Sequence, residues 1–149
     1  MKTRITVVGI IIAAVMCLGI AATAPAFQFD EQIDPAVQAD GTATWNGKWR
    51  SFTGQQKGAL KATITQSGTK LSGRMNILGL SCGDQKNLRL TGSISKNFVK
   101  VQVPFNCFGF AFTLHSEGTL YQNTFIGGGY YVTQGSEVQD GGSFNLLKK

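Results

Sequence analysis

The feature that most constrains this chain is alternation. From Ala43 onward, apolar and polar residues exchange places at nearly every step, in short runs broken by turn-forming residues. A period of two belongs to strands, whose successive side chains point to opposite faces. Short strands at even spacing build an antiparallel sandwich or barrel. The runs are Thr44–Phe52, Gly58–Ser67, Lys70–Leu78, Leu88–Ser95, Phe98–Phe105, Phe110–Tyr121, Thr124–Thr133 and Gly142–Leu147. No helical apolar period persists anywhere among them, so little or no helix is expected.

Alternation also assigns the faces. Trp45, Gly47 and Trp49 share one face with Leu60, Ala62 and Ile64, with Leu71, Gly73, Met75 and Ile77, and with Leu88, Leu90, Gly92 and Ile94. Val99, Val101, Val103 and Phe105 continue it, followed by Phe110, Phe112 and Leu114. The other face is polar. A sheet with one apolar side buries it by curling around its own core, so the expected fold is all-β, an eight-stranded antiparallel up-and-down barrel. Leu71-Ser72-Gly73-Arg74-Met75 and Leu90-Thr91-Gly92-Ser93-Ile94 repeat an inward glycine between apolar neighbours, as strong curvature requires. Gly127-Gly128-Gly129 has no Lys-Ser/Thr after it and is not a phosphate loop.

In a meander, successive connections alternate between the two ends. The longer ones, Thr53–Lys57, Gly79–Asn87, Asn106–Gly109 and Gln134–Gly141, all fall at one end, and Cys82 and Cys107 lie in two of them. A disulfide between them is expected. This loop-rich end reads as the mouth of the barrel, where ligands of such folds enter. Phe110 and Phe112 read as inward positions and Phe108 as a mouth residue; with Tyr131 they are the candidate ligand-lining set.

Met1–Ala26 has the order of a secretory leader: Lys2 and Arg4, an apolar run from Ile5 to Ile20, then Ala24-Pro25-Ala26 before the cut. The expected organisation is a leader over 1–26, an irregular lead-in over 27–41 rich in acidic residues, and the barrel over 42–149. The remaining chain has no segment able to span a membrane as a helix. Cleavage removes Cys17 and leaves an even pair of cysteines in an oxidising compartment.

Catalytic chemistry is sparse. The single histidine excludes multi-histidine metal sites. His115 falls on the outer face beside Thr113 and Glu117, with no nucleophile specified. Asp84, Glu137 and Asp140 read as solvated loop acids. No Cys-x-x-Cys spacing exists. No enzyme activity, catalytic residue, cofactor or metal is expected. The net charge is +6, and Lys61, Arg74, Arg89 and Lys100 form an outer basic belt on neighbouring strands. It reads first as a solubilising surface and second as an attractor of anionic glycans, lipid headgroups or an acidic partner. Nucleic acid is not expected, because no aromatic series interleaves these cations.

Trp45-Asn46-Gly47-Lys48-Trp49 carries a resemblance. Gly-x-Trp in the first strand of an eight-stranded meander resembles the calycin group: lipocalins, avidins and small bacterial metalloprotease inhibitors. The resemblance covers roughly 42–149. It implies that Trp49 or Trp45 plugs the closed end, with Lys148 or Lys149 packed over it. A biotin pocket of the avidin kind would need tryptophans on later strands, and both tryptophans here lie in the first. The functional expectation is a secreted or periplasmic, non-enzymatic binding module that captures a small apolar molecule at the loop-rich mouth. The alternatives are a protein-interaction module such as a secreted protease inhibitor, acting through the mouth loops or 27–40, and a structural surface domain.

Overall fold

A computed structural model describes residues 40–149; the expected leader over 1–26 and positions 27–39 of the expected lead-in lie outside the described residues. Eight strands follow in chain order: β1 (Gly41–Ser51), β2 (Lys57–Ser67), β3 (Lys70–Ile77), β4 (Gln85–Ser95), β5 (Phe98–Cys107), β6 (Phe110–Tyr121), β7 (Phe125–Gln134) and β8 (Glu137–Lys148). Each pairs antiparallel with the next, and β8 returns to β1 to close a barrel. The expected strands and topology are found, with β4 and β8 reaching further towards their preceding turns than the apolar pattern suggests. Among the described residues no helix is long and apolar enough to cross a membrane.

The inward row forms the core. Trp45, Trp49, Leu60, Ile64, Met75, Ile77, Leu90, Val101, Val103, Leu114, Ile126 and Leu146 are all buried, Leu90 and Val103 completely. Closure is staggered. One outward row leaves β1 at Thr42 and runs through Thr65, Ser72, Thr91, Gln102, His115, Tyr131 and Gly141. It meets the continuation of β1 at Phe52, one residue past the strand's end, whose N–H donates to the Gly141 carbonyl at 2.8 Å. The row thus returns ten positions further along the chain. Such a stagger tilts the strands strongly against the barrel axis.

The tilt presses strands together where inward glycines allow it. A Cβ on Gly47 would collide with the Asn145 carbonyl of β8, one on Gly73 with the Thr63 carbonyl of β2, and one on Gly92 with the Lys100 carbonyl of β5. The apolar-x-Gly-x-apolar repeat marks these contacts.

Two connections differ from expectation. The β1–β2 and β3–β4 links are long, but β5–β6 and β7–β8 turn over just Phe108-Gly109 and Gly135-Ser136. Phe108 and Gly109 both have left-handed φ, 52° and 84°. That is the requirement of the tight turn whose twist matches a hairpin.

The β5–β6 hairpin projects beyond its neighbours. On one side, β4–β5 pairing ends at Thr91 opposite Gln102; on the other, β6–β7 pairing ends at Thr113 opposite Thr133. Pro104, which lacks an N–H, lies in the stretch of β5 that has no β4 partner, where its missing donor is tolerated. Phe110 therefore does not join the core. It is 58% exposed, because the alternation continues past the point where any strand lies across from it. The Cys82–Cys107 disulfide ties the tip of this projection, next to its turn, to the β3–β4 connection.

The bridge spans a sequence separation of 25. Replacing both cysteines by alanine should lower unfolding free energy by about 3–4 kcal/mol in the chain-entropy account, read from urea midpoints. Gly47→Ala should destabilise by about 1–3 kcal/mol or more, whereas Gly54→Ala, where an added Cβ meets nothing, should lose only what its left-handed φ demands.

Candidate functional site

Two spaces open inside the barrel, one towards each end. The space nearer the loop-rich end has a volume of about 50 Å³. Trp49, Leu60, Ile77, Leu80, Tyr130 and Asp140 contribute to its wall. Leu80 comes from the β3–β4 connection. Trp49 is held beneath that connection: its indole N–H donates to the Leu78 carbonyl at 3.0 Å, and its ring meets Tyr130 edge-on at 6.0 Å. Gly58 opposes Trp49 in the β1–β2 register, and a Cβ there would lie 2.6 Å from the indole nitrogen. The absent side chain is what lets the indole reach Leu78. The wall is almost wholly apolar, and the volume is far below the roughly 300–1,000 Å³ of ordinary ligand sites.

The second space lies at the tight-turn end and measures about 290 Å³. Its wall is Trp45, Ile64, Leu71, Ile94, Val99, Leu120 and Ile126, and its rim is Asp40, Gln66, Asn123 and Lys148. Ile64, Val99 and Ile126 border both spaces and form the layer between them. The expected polarity is therefore reversed: the roomier opening is at the end with the short turns. The β3–β4 connection turns Leu80 towards the interior, where it fills space that a mouth would need.

The expected lining set is dispersed. Phe108 is 71% exposed at the turn of the projecting hairpin, and Phe110 is exposed beside it. Phe112 stacks on Phe105 at 5.7 Å, above the cavity rather than on its wall. Tyr131 points outward and lies flat against His115, with ring centroids 4.6 Å apart. None of the four borders either space. The inward tyrosine is Tyr130, one residue earlier.

The two tryptophans separate. Trp45 is opposite Lys148 in the β1–β8 register, and both border the tight-turn opening without closing it. Trp49 belongs to the loop-rich end. Gly47, between them, sits at the close approach to β8.

Glu137 opens β8 on an exposed position, and the other polar candidates have structural partners. His115 Nε2 is 3.2 Å from Thr133 Oγ1 on the outer face. Glu117 pairs with Lys100 at 3.1 Å rather than with the imidazole. Asp84 accepts from the Gly79 N–H at 3.0 Å. Asp140 is not a loop acid: it lies in β8, faces inward and accepts from the Tyr130 hydroxyl at 3.3 Å. The sequence carried a signal for it, since Asp140, Gly142, Phe144 and Leu146 alternate; a carboxylate at the head of that series hid the pattern. Among the described residues no cluster of His, Cys, Asp and Glu has the makings of a metal site.

Compared with known proteins, the chain matches no family model and no curated protein.

Burial pushes the Tyr130 hydroxyl well above the usual tyrosine range, and the neighbouring Asp140 carboxylate adds to this through its charge and its hydrogen bond. Below pH about 10 both folded and unfolded chains hold this proton. Above it the unfolded chain releases the proton and the folded chain keeps it, so stability falls as pH rises, by up to about 1.4 kcal/mol per pH unit. Urea midpoints between pH 9 and 11 should show this loss in the wild type and a shallower one in Tyr130→Phe.

Proposed function

We propose that the barrel is a non-enzymatic binding module of a calycin-like kind that takes a small, largely apolar molecule at its tight-turn end. The observation that carries this reading is the opening of about 290 Å³ walled by Trp45, Leu71, Leu120 and their apolar neighbours. Its volume sits at the lower edge of ordinary ligand pockets, and such sites combine an apolar wall with a few polar groups that orient the ligand. Asp40, Gln66, Asn123 and Lys148 supply that polar rim. The leader-like N-terminus and the Cys82–Cys107 disulfide support export to an oxidising compartment.

Both tryptophans border interior space, one at each end, so their fluorescence reports on location. Trp49→Phe leaves Trp45 as the sole indole, and Trp45→Phe leaves Trp49. With decanol as probe, saturable changes are expected in the variant retaining Trp45 and not in the variant retaining Trp49. Leu120→Trp, which fills the opening, should abolish displacement of a bound neutral naphthylamine dye by decanol. A response confined to Trp49 would move the site to the loop-rich end, and no response in either would remove the proposal.

A second reading, a protein-interaction module, draws on the exposed aromatic residues of the loop-rich end: Phe52 at 80%, with Phe108 and Phe110. It predicts that Phe108→Ser/Phe110→Ser abolishes function while decanol binding is unchanged.

A further inference from the structure

The outer basic residues are not arranged as an even belt. Lys100 is neutralised by Glu117 and leaves the set. Lys61, Arg74 and Arg89 remain, and Lys48, Arg50 and Lys57 join them through the strand register. Arg50 lies directly opposite Lys57 across β1–β2, and Arg74 directly opposite Arg89 across β3–β4. Lys48 follows Arg50 on the same face of β1. Lys61 sits diagonally between Lys48 and Arg74, because its own partners are Asn46 and Asn76. Directly opposed residues lie about 5 Å apart and diagonal ones about 7–8 Å. The six cations therefore form one unbroken diagonal stripe over β1–β4.

Nothing on those strands offsets the charge. Between Gly41 and Ser95 the sole carboxylate is Asp84, which lies in the β3–β4 connection and is engaged by the Gly79 N–H. Two like-charge pairs in direct opposition destabilise a sheet. A surface that served only solubility would intersperse both signs. The upper part of the stripe, Lys48, Arg50 and Lys57, also lines a shallow outer groove of about 640 Å³ with Ser143 and Asn145 as hydrogen-bonding neighbours.

We propose that this stripe binds a linear acidic polysaccharide along the outside of the barrel, independently of what the interior holds. Shape decides between the anionic partners. In an eight-stranded ring successive strands turn by about 45°, so the β1 and β4 ends of the stripe face directions about 135° apart. A flat bilayer cannot touch both ends, whereas a flexible chain can follow the curve. A single outward aromatic ring, Phe52 just past the end of β1, stands beside the stripe, and a stacking series for successive bases is missing from β1–β4. Arginine forks at Arg50, Arg74 and Arg89 suit the paired oxygens of carboxylate and sulfate groups.

The test is calorimetric titration of the full folded chain with a sulfated heparin decasaccharide at 50–200 mM salt. At duplex-like charge density, six contacts predict an affinity loss on the order of 10³-fold across that range. Arg74→Ser/Arg89→Ser should weaken binding at low salt by about tenfold or more and flatten the salt dependence. Lys70→Ser/Lys96→Ser, which removes the same charge away from the stripe, should leave affinity within about threefold of wild type if position rather than net charge matters. The arginine variant should melt close to wild type, since it relieves a like-charge opposition while losing the exposed hydrogen bond from Arg74 Nη1 to the Asn87 carbonyl. Equal weakening by both pairs would overturn the proposal, as would tighter Arg74- and Arg89-dependent binding to phosphatidylglycerol vesicles or to a single-stranded oligonucleotide. A fall in melting temperature accompanying the lost affinity would assign these arginines a structural role and overturn it too.

Discussion

The barrel depends on backbone-to-backbone approach at its inward glycines. Gly47 lies against the Asn145 carbonyl at the β1–β8 seam, the contact that closes the ring. Gly73, Gly92 and Gly128 repeat the arrangement around the circumference, each facing a carbonyl of the neighbouring strand. A side chain at these positions would hold the strands apart, and the ten-position stagger between Thr42 and Phe52 would not close. Closure in turn sets where everything else can be. It brings Trp45 opposite Lys148, sends Trp49 under the β3–β4 connection, and aligns the outer cations of β1–β4 into neighbouring rows.

How much of this was legible in the sequence follows from what each signal encodes. Alternation encodes which face a residue occupies, and it located all eight strands and nearly all of the core. It carries no information about how far a strand extends beyond its neighbours. Phe110 obeys the inward phase yet is exposed, because the β5–β6 hairpin outruns β4 and β7. Turn length is hidden where the chemistry is unusual: Phe108 adopts a left-handed φ that glycine or asparagine more often supplies, so Asn106–Gly109 carries no signature of a two-residue turn.

The candidate site was less legible than the fold for a related reason. Loop length predicted the end at which a mouth would form, but a long connection fills an opening as readily as it frames one. Leu80 does the former. The roomier space lies where the turns are short and where Ala43, Gln66 and Leu71 border it, with no long connection over it among the described residues. The difference between Tyr130 and Tyr131 is a single residue of register, and that residue separates a buried hydroxyl paired with Asp140 from an outward ring stacked on His115. Adjacent tyrosines give no apolar contrast by which alternation could choose between them.

Interior and exterior therefore divide the chemistry. Apolar surface is concentrated inside and is unequally filled at the two ends; positive charge is concentrated outside and is unequally distributed over the circumference. For the interior, we propose that the tight-turn opening takes a ligand. Native mass spectrometry of protein purified without denaturation from its own host tests it most directly, with Leu120→Trp as the filled counterpart. The account predicts a retained small molecule on the wild-type chain that is lost from the filled variant. A bound mass that persists after filling, or its absence from both, would contradict the account.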